Sequence, residues 1–265
     1  MRRIVALFTV VAAFALSACS PASQETPSPS ASSPVAASSQ PAVTASAETS
    51  PSATAAPVDD TLSYIAQAHG TKLTVLTEPD GAEALTVKAS DVLTVPDQTP
   101  LVFLVKQIQG SWLELYLPVR PNGSTGWVKA DQVTLSATHM KVEVNLADFE
   151  LTVWDGTDKV FSTPIGLGRQ QLPTPGGVYY IRELLQPPDP NGVYGPYAYG
   201  LSGYSPVLDE FAGGDAVIGI HGTDDPSSIG KAVSHGCIRL PNDAITTMVT
   251  EIGLPLGTPV FIDAE

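Results

Sequence analysis

A long segment without core-forming residues most constrains how this chain can fold. Residues 20–57 number 38, and 32 of them are Ala, Ser, Pro or Thr, with no aromatic residue, Leu or Ile. Such a segment cannot bury enough apolar surface to offset the conformational entropy lost on ordering it. We therefore expect a disordered linker here, and the folded mass of the 265-residue chain must lie in residues 58–265.

The first 19 residues have the pattern of an export signal. A basic pair, Arg2 and Arg3, precedes the apolar residues 4–15, a run shorter than the about 20 apolar residues that cross a bilayer. Residues 16–19, Leu-Ser-Ala-Cys, then resemble a bacterial lipobox, in which the cysteine is acylated. We expect residues 1–19 to be a lipoprotein signal peptide, with Cys19 anchoring an extracytoplasmic protein to the bacterial cell membrane. A plain signal peptide cleaved just before Cys19 is the alternative.

Charge and cysteine usage exclude several function classes. The chain has 13 basic and 27 acidic residues, so nucleic acid is not an expected partner, because phosphate binding needs clustered Lys and Arg. Cys19 and Cys237 are the only cysteines, too few for a disulfide framework or a Cys-rich zinc module. We expect neither a metal nor another cofactor. A zinc site made of His221, His235, Cys237 and a nearby Asp is an alternative, but it fits no common structural zinc spacing.

Residues 58–138 have the sequence of a small all-β domain. Short apolar runs are separated by turn signals, and no long helical periodicity occurs. The last part, with Trp112 before an Asn-Gly turn and Trp127 after it, resembles the final strands of a bacterial SH3-like barrel. The two tryptophans could line a ligand groove or pack in the core and rim of the barrel. Packing is favoured, because a small barrel needs its large apolar residues for its core.

Residues 139–265 predict a second, mostly β domain with one main helix. Residues 140–146 alternate between apolar and polar side chains, as in a half-buried strand, and residues 216–220 form a short apolar strand. A helix is expected over residues 243–252, with Asn242 as its N-cap. A domain of this length can have its own core.

The residues that carry chemistry lie close together near the C-terminus. Cys237 is a free thiol in a protein expected outside the cytoplasm, where an idle thiol is prone to oxidation. A thiolate nucleophile needs a histidine that accepts its proton, and His221 and His235 lie within sixteen residues of it. Gly236 allows close approach of the backbone to a substrate. The pattern predicts a cysteine acyl-transfer site. A buried inert cysteine between structural histidines is the alternative.

Two segments carry a family resemblance. Residues 234–239, Ser-His-Gly-Cys-Ile-Arg, with His221 fourteen residues before His235, resemble the active-site signature of the L,D-transpeptidases. Residues 174–179, Thr-Pro-Gly-Gly-Val-Tyr, resemble a further segment of that fold. The resemblance extends over residues 140–262 and implies an L,D-transpeptidase-type, β-sandwich-like catalytic domain after the SH3-like barrel.

The resemblance also implies residue roles. It makes Cys237 the nucleophile, His221 the base, and the Gly222 carbonyl the group that orients the imidazole. Four further residues are implied to orient the site or bind substrate: Ser234, His235, Gly236 and Arg239. Some members of the family carry Asn at the position of Arg239, so the polar contact made there can differ.

The implied reaction crosslinks peptidoglycan. Cys237 attacks the L,D amide bond before the terminal D-Ala of a tetrapeptide stem, D-Ala leaves, and an amine of a neighbouring stem resolves the thioester. Peptidoglycan stem peptides are therefore the expected partners, and a carbapenem-type inhibitor is expected to acylate Cys237. Two alternatives stay open. Water as the acceptor would make the protein an L,D-carboxypeptidase, and a wall-binding lipoprotein without catalysis would use its SH3-like domain.

A glycine- and tyrosine-rich segment lies between the two signature segments. Residues 187–204 contain four tyrosines and four glycines, a composition typical of a mobile, aromatic-lined flap over a cleft. Tyr194, Tyr197 and Tyr204 are the expected flap residues. An ordinary packed loop is equally compatible with this composition.

Overall fold

The computed structural model describes residues 59–95 and 99–263. The predicted signal peptide, the lipidation site at Cys19 and the linker up to residue 57 lie outside the described residues. Within the part that is described, no helix is long and apolar enough to cross a membrane.

The first group of strands belongs to the part of the chain predicted to be all-β. Its strands are β1 (Ser63–Ala68), β2 (Lys72–Leu76), β3 (Glu83–Lys88), β4 (Val102–Gln109), β5 (Trp112–Tyr116), β6 (Thr125–Lys129) and β7 (Val133–Thr138). Two short helical segments accompany them, α1 (Ala89–Val92) and a 3₁₀ turn at Ala130–Gln132.

The second group of strands belongs to the predicted catalytic domain. Its strands are β8 (Met140–Asn145), β9 (Glu150–Asp155), β10 (Asp158–Pro164), β11 (Leu167–Gly168), β12 (Gly177–Leu185), β13 (Ala198–Tyr204), β14 (Val217–His221), β15 (Ala232–Ser234), β16 (Ile238–Arg239) and β17 (Pro259–Ile262). Its helical segments are a 3₁₀ turn at Pro226–Ser228, α2 (Asn242–Thr247) and a π-helical turn at Met248–Ile252.

The first seven strands form one antiparallel sheet in the order β3-β2-β6-β5-β4-β1-β7. Its core contains Phe103, Leu113 and Leu115, which are fully buried because alternate residues of each strand point inward. Trp112 is also buried, and Lys129 Nζ lies 5.3 Å from the centre of its ring. The all-β prediction for this unit is confirmed, while its likeness to an SH3-like barrel stays a prediction.

The predicted catalytic domain is built on an eight-stranded mixed sheet in the order β10-β9-β8-β17-β12-β13-β14-β16. Strands β8 and β17 pair in parallel, as do β14 and β16, and the remaining neighbours are antiparallel. Val142 and Val144 are buried on β8, as the alternation predicts. A separate pair of short parallel strands, β11 and β15, lies outside this sheet. The prediction of a mostly β fold with one main helix is confirmed.

The main helix covers the predicted residues 243–252 but begins one residue earlier, at Asn242. α2 begins at Asn242, continues as the π-helical turn to Ile252 and ends at Gly253. Ile245 and Met248 are fully buried, as the apolar spacing predicts. The prediction that Asn242 caps the helix is wrong, because Pro241 occupies the N-cap position and Asn242 is already helical. The Asn242 side chain is used for a contact in the candidate site.

Candidate active site

Parallel pairing of two short strands brings the predicted catalytic residues together. On β14 and β16, Ile220 pairs with Ile238 and His221 pairs with Arg239. Both isoleucines are fully buried. Since successive residues of a strand point to opposite faces, His221 and Arg239 share the other face. Cys237 directly precedes β16 and lies two residues from Arg239, so it falls on the same face.

That face opens into a cavity of about 220 Å³. His221 and Cys237 both line it, so the structure brings the predicted base and nucleophile into one space. The complete lining consists of Val193, Tyr194, Ser205, Leu208, Phe211, Ala216, Val217, Ile218, His221, Ser234, His235, Cys237 and Arg239. Three lining residues, Ser205, Leu208 and Phe211, come from the segment after β13, which sequence patterns did not single out.

His221 is held in one orientation by its neighbour. Its side chain is 5% exposed, and Nδ1 lies 2.6 Å from the Gly222 carbonyl oxygen. A carbonyl only accepts hydrogen bonds, so Nδ1–H is the donor and Nε2 is the ring atom that can accept a proton. Burial lowers the pKa of His221 to about 4, and the positive charge of Arg239 acts in the same direction. The imidazole is therefore neutral at neutral pH.

Cys237 also rests in its uncharged form. Burial raises the pKa of the Cys237 thiol, against the opposing effects of a hydrogen bond from the Gly219 backbone and the charge of Arg239. Sγ lies 3.8 Å from the Val217 carbonyl oxygen. Among the hydrogen bonds of the described residues, none joins the thiol to His221. The resting pair is thus a neutral thiol and a neutral imidazole.

Ser234 holds the loop that carries the thiol. Its side chain is 1% exposed, and Oγ donates to the Cys237 carbonyl oxygen at 2.6 Å. The same Oγ accepts a hydrogen bond from the Gly236 N–H at 3.1 Å. Ser234 lines the cavity, but both of these contacts are to the loop backbone, so its geometry fits an orienting role.

Thr174 fixes the same loop from a distant part of the chain. Thr174 Oγ1 donates to the Gly236 carbonyl oxygen and accepts from the Gly168 N–H, both at 2.9 Å. Gly236 has a φ of 120°, and a Cβ there would lie 3.0 Å from Ile218 Cδ1. Only glycine fits this backbone without strain. The sequence singled out the segment of Thr174 but not this contact.

His235 faces the cavity mouth. It is exposed, its Nε2 lies 3.2 Å from Arg169 Nη1, and its ring centre lies 5.1 Å from that of Phe211. Desolvation lowers the pKa of His235, and the charges of Arg169 and Arg239 add to the effect. Arg169 was not predicted, because a single arginine in a loop carries no motif signal.

The three predicted flap tyrosines have different surroundings. Tyr194 lies against His221 edge to face, with ring centres 5.0 Å apart, and lines the cavity. Tyr197 is half-buried against the core, and its carbonyl accepts from the Gly222 N–H at 3.3 Å. Tyr204 does not belong to a flap. It ends β13, is 4% exposed and donates from its hydroxyl to the Pro118 carbonyl oxygen at 2.7 Å.

Asn242 is a site residue whose role was misassigned from sequence. Its Oδ1 accepts a hydrogen bond from the Thr223 N–H at 2.8 Å. A Cβ at either Gly195 or Gly222 would overlap this oxygen, so two glycine backbones close around it. Asn242 therefore connects the start of α2 to the backbone beside His221 and to the loop of Tyr194. Asparagine before a helix is typical of an N-cap, so the sequence pattern predicted a cap and not the contact with Thr223.

Over residues 59–95 and 99–263, no group of three or more His, Cys, Asp or Glu side chains converges as a metal site. Cys237 is a free thiol.

Comparison with known proteins gives matches to the second half of the chain. Residues 139–262 match the YkuD family model, described as an L,D-transpeptidase catalytic domain. YkuD of Bacillus licheniformis, which carries the name L,D-transpeptidase, is 34% identical over 122 residues, 46% of this chain and 64% of that protein. YkuD of Bacillus subtilis is 33% identical over 125 residues, 47% of this chain and 65% of that protein. The chain thus spans just under two thirds of these two relatives.

Solved structures match at lower identity. A crystal structure of Enterococcus faecium L,D-transpeptidase has 22% identity and a TM-score of 0.37, over 47% of this chain and 49% of that one. An L,D-transpeptidase from Mycobacterium smegmatis has 16% identity and a TM-score of 0.38, over 63% and 91% of the respective chains.

Proposed function

We propose that this protein is a cysteine L,D-transpeptidase that crosslinks peptidoglycan stems, because residues 139–262 match the L,D-transpeptidase catalytic domain family. One observation carries the proposal. Cys237 and His221 line the same cavity, and the Gly222 carbonyl holds His221 Nδ1–H so that Nε2 is left to exchange a proton. Acyl transfer by a thiol needs a nucleophile and an oriented base in one site.

The first half-reaction would form a thioester. The Cys237 thiol passes its proton to His221 Nε2 as Sγ attacks the carbonyl carbon of the L,D amide bond before a terminal D-Ala. The tetrahedral intermediate collapses, the C–N bond breaks, and the departing D-Ala amine takes the proton from the imidazolium. Because Cys237 and His221 are both neutral at the start, neither has to carry a charge in the buried site before the substrate binds.

The second half-reaction would transfer the acyl group. An acceptor amine from a neighbouring stem attacks the thioester carbon, His221 takes a proton from that amine, and the thiol leaves and regains the proton. The net change exchanges one amide for another and releases D-Ala. Water in place of the amine would give L,D-carboxypeptidase action through the same thioester.

The remaining signature residues have separate roles in this proposal. Ser234 and Gly236 shape the loop that presents the thiol, through the bonds of Ser234 Oγ to that loop. His235 and Arg239 line the cavity as cationic or polar wall groups and suit the carboxylates of stem peptides. Arg239 also stabilises the thiolate electrostatically as it forms, since its charge opposes the effect of burial on Cys237.

Product analysis with a nucleophile variant tests the reaction. Purified protein is incubated with tetrapeptide-bearing muropeptides, and new crosslinks and free D-Ala are measured by mass spectrometry. We expect both products from the wild type and neither from Cys237→Ala, whose circular dichroism spectrum should be unchanged. Release of D-Ala without crosslinks would favour the carboxypeptidase alternative, and crosslinking by Cys237→Ala would contradict the proposal.

Intact mass spectrometry supplies a further readout on the same proteins. A carbapenem should add covalently to the wild type and not to Cys237→Ala, since the thiol is the acylated group. If the wild type binds cell wall but forms neither product nor adduct, the protein is a binding module and the enzyme assignment fails.

We also propose that the protein is held at the outer face of the bacterial cell membrane by lipid on Cys19. The support is the lipobox-like sequence of residues 16–19 after a short apolar run. Cys19→Ser should move the protein from the membrane fraction to the soluble extracytoplasmic fraction. A variant that still sediments with membranes would contradict the anchor.

A further inference from the structure

One wall of the catalytic cavity is a short segment that follows β13. Residues 205–214, here named the cavity wall, contribute Ser205, Leu208 and Phe211 to the lining. The ring of Phe211 lies 5.1 Å from that of His235, so the wall contacts the loop that carries Cys237. Its position therefore sets the width of the space that a substrate must enter.

The cavity wall has little packing of its own. Val207 is 56% exposed and Phe211 is 39% exposed. Within the segment, Ser205 Oγ accepts from the N–H groups of Val207 and Leu208, and Phe211 pairs with Gly214 through two backbone hydrogen bonds. A segment with few buried apolar contacts opens easily, so contacts from outside decide how firmly it is held.

Arg120 supplies such contacts from the N-terminal β unit. Its guanidinium donates to the Ser205 carbonyl oxygen at 2.7 Å, to that of Leu208 at 3.0 Å and to that of Asp209 at 3.3 Å. It also lies 4.7 Å from the centre of the Tyr204 ring. Hydrogen bonds from a charged donor are the stronger ones, and the planar fork of arginine matches three carbonyls at once.

Asn122, two residues further along, fixes the point where the cavity wall begins. Its Oδ1 accepts from the Tyr204 N–H at 2.9 Å, and its Nδ2 donates to the Tyr204 carbonyl oxygen at 2.8 Å. The side-chain amide thus pairs with the last residue of β13 as a neighbouring strand would. Arg120 and Asn122 both belong to the connection between β5 and β6, so one hairpin holds the wall at its root and along its length.

We propose that Arg120 and Asn122 are positioning residues for the transpeptidation reaction, and that the N-terminal β unit shapes the substrate cavity through them. This inference rests on the proposed function for its kinetic consequence. The hairpin touches neither Cys237 nor His221 among the hydrogen bonds of the described chain. Its effect should therefore fall on substrate binding rather than on the chemistry of the thiol.

The test uses the full chain and four variants. Arg120→Met removes the donors and keeps much of the side-chain length, Arg120→Lys restores a charge without the fork, and Lys129→Met is the control. Lys129 belongs to the same N-terminal unit and contacts Trp112 instead of the cavity wall. Arg120 remains exposed to solvent, so its loss should leave the core intact. Asn122→Ala removes the two hydrogen bonds to Tyr204 and should also make the cavity wall more mobile.

Three readouts separate positioning from a merely structural role. For Arg120→Met, we expect KM for the donor muropeptide to rise about tenfold at nearly constant kcat, the effect of losing charged hydrogen bonds. Alkylation of Cys237 by iodoacetamide should stay at the wild-type rate. Hydrogen exchange at the amides of residues 207–211 should become faster, with Arg120→Lys between wild type and Arg120→Met and Lys129→Met unchanged.

The exchange measurement does not depend on the reaction. Unchanged exchange in both Arg120→Met and Asn122→Ala would overturn the inference even if the enzyme is active. A fall in kcat with unchanged KM would overturn it as well, because the hairpin would then act on chemistry. If the wild type forms no product, the proposed function fails, while faster exchange at the wall would still support the positioning contact.

Discussion

At the scale of single residues, burial keeps both His221 and Cys237 uncharged in the resting site. His221 is nearly inaccessible and donates Nδ1–H to the Gly222 carbonyl, and burial depresses its pKa to about 4. Cys237 has its pKa raised by the same low-polarity surroundings. Since burial penalises the charged form of each group, the neutral pair is the stable resting state. In the proposed reaction, proton transfer would then accompany attack on the substrate instead of preceding it.

The first residue-scale prediction concerns pH. His221 can accept a proton from Cys237 only while it is neutral, and its depressed pKa keeps it neutral down to about pH 4. The acid limb of kcat/KM should therefore fall near pH 4, below the value of about 6.5 for an unperturbed histidine. A pH–rate profile on muropeptide substrate measures this limb, and a limb near 6.5 would contradict the depressed pKa.

Histidine variants supply the control for that assignment. His221→Ala should lose crosslinking by about 10²-fold or more, since a general base contributes on that order. His69→Ala changes an exposed histidine in the N-terminal β unit and should leave the rate unaltered. Equal losses in the two variants would show that His221 is not the base.

At the scale of elements, the loop before β16 is held by side chains from two directions. Ser234 bonds within the loop, and Thr174 reaches it from the connection between β11 and β12. Each bond ends on a backbone carbonyl, of Cys237 and of Gly236 respectively. Two short strands alone would leave this loop weakly defined, so the side-chain bonds determine where Sγ points.

Thr174 allows a matched test of this support. Thr174→Val keeps the shape of the side chain but leaves the Gly236 carbonyl and the Gly168 N–H without their partner, at a cost of about 1–3 kcal/mol. The crosslinking rate of Thr174→Val should fall together with its stability. Thr174→Ser keeps the hydroxyl and should remain close to wild type in both properties. Chemical denaturation and the crosslinking assay check this pair, and equal behaviour of Val and Ser would contradict the role of the hydroxyl.

At the scale of the whole molecule, the two β units are continuous through a buried polar network. Tyr180 of β12 is fully buried in the core of the N-terminal unit. Beside it, Glu183 accepts from the N–H and the hydroxyl of Thr94, at 2.8 and 3.2 Å. Arg182 Nε lies 3.4 Å from Glu183 Oε1, in an ion pair that is too poorly aligned for a hydrogen bond. Units joined in this way should unfold together.

This network leads to a prediction about stability. Glu183→Ala leaves the charge of Arg182 buried without its partner and should reduce the free energy of unfolding by about 3–5 kcal/mol. Unfolding of the wild type should be one cooperative transition. Glu143→Ala removes the exposed ion pair with Lys141 and should cost less than about 1 kcal/mol. Calorimetry measures these effects, and two separate transitions in the wild type would contradict a shared core.

Sequence reasoning was most successful where the signal is local in the chain. The alternation of β8, the apolar strand before His221 and the helix that ends at Gly253 are all present, because each follows from side chains a few residues apart. It failed for Tyr204 and Asn242. The neighbouring sequence of Tyr204 is typical of a loop, and that of Asn242 is typical of a helix cap. In the structure, each side chain instead hydrogen-bonds to a residue more than fifteen positions away in the chain.

The chain by itself therefore determined the candidate chemistry: a thiol, two histidines and a glycine within residues 221–237, in a pattern that resembles the L,D-transpeptidase signature. The tertiary structure alone decided what surrounds that chemistry. Arg120 lies more than eighty residues before the backbone that it holds, and Thr174 lies sixty-two residues before Gly236. Such contacts depend on strand register and on how the two β units pack. Neither leaves a periodic or compositional pattern at these residues, so only the assembled fold shows that the N-terminal unit contacts the backbone of Ser205 and Leu208, which line the cavity.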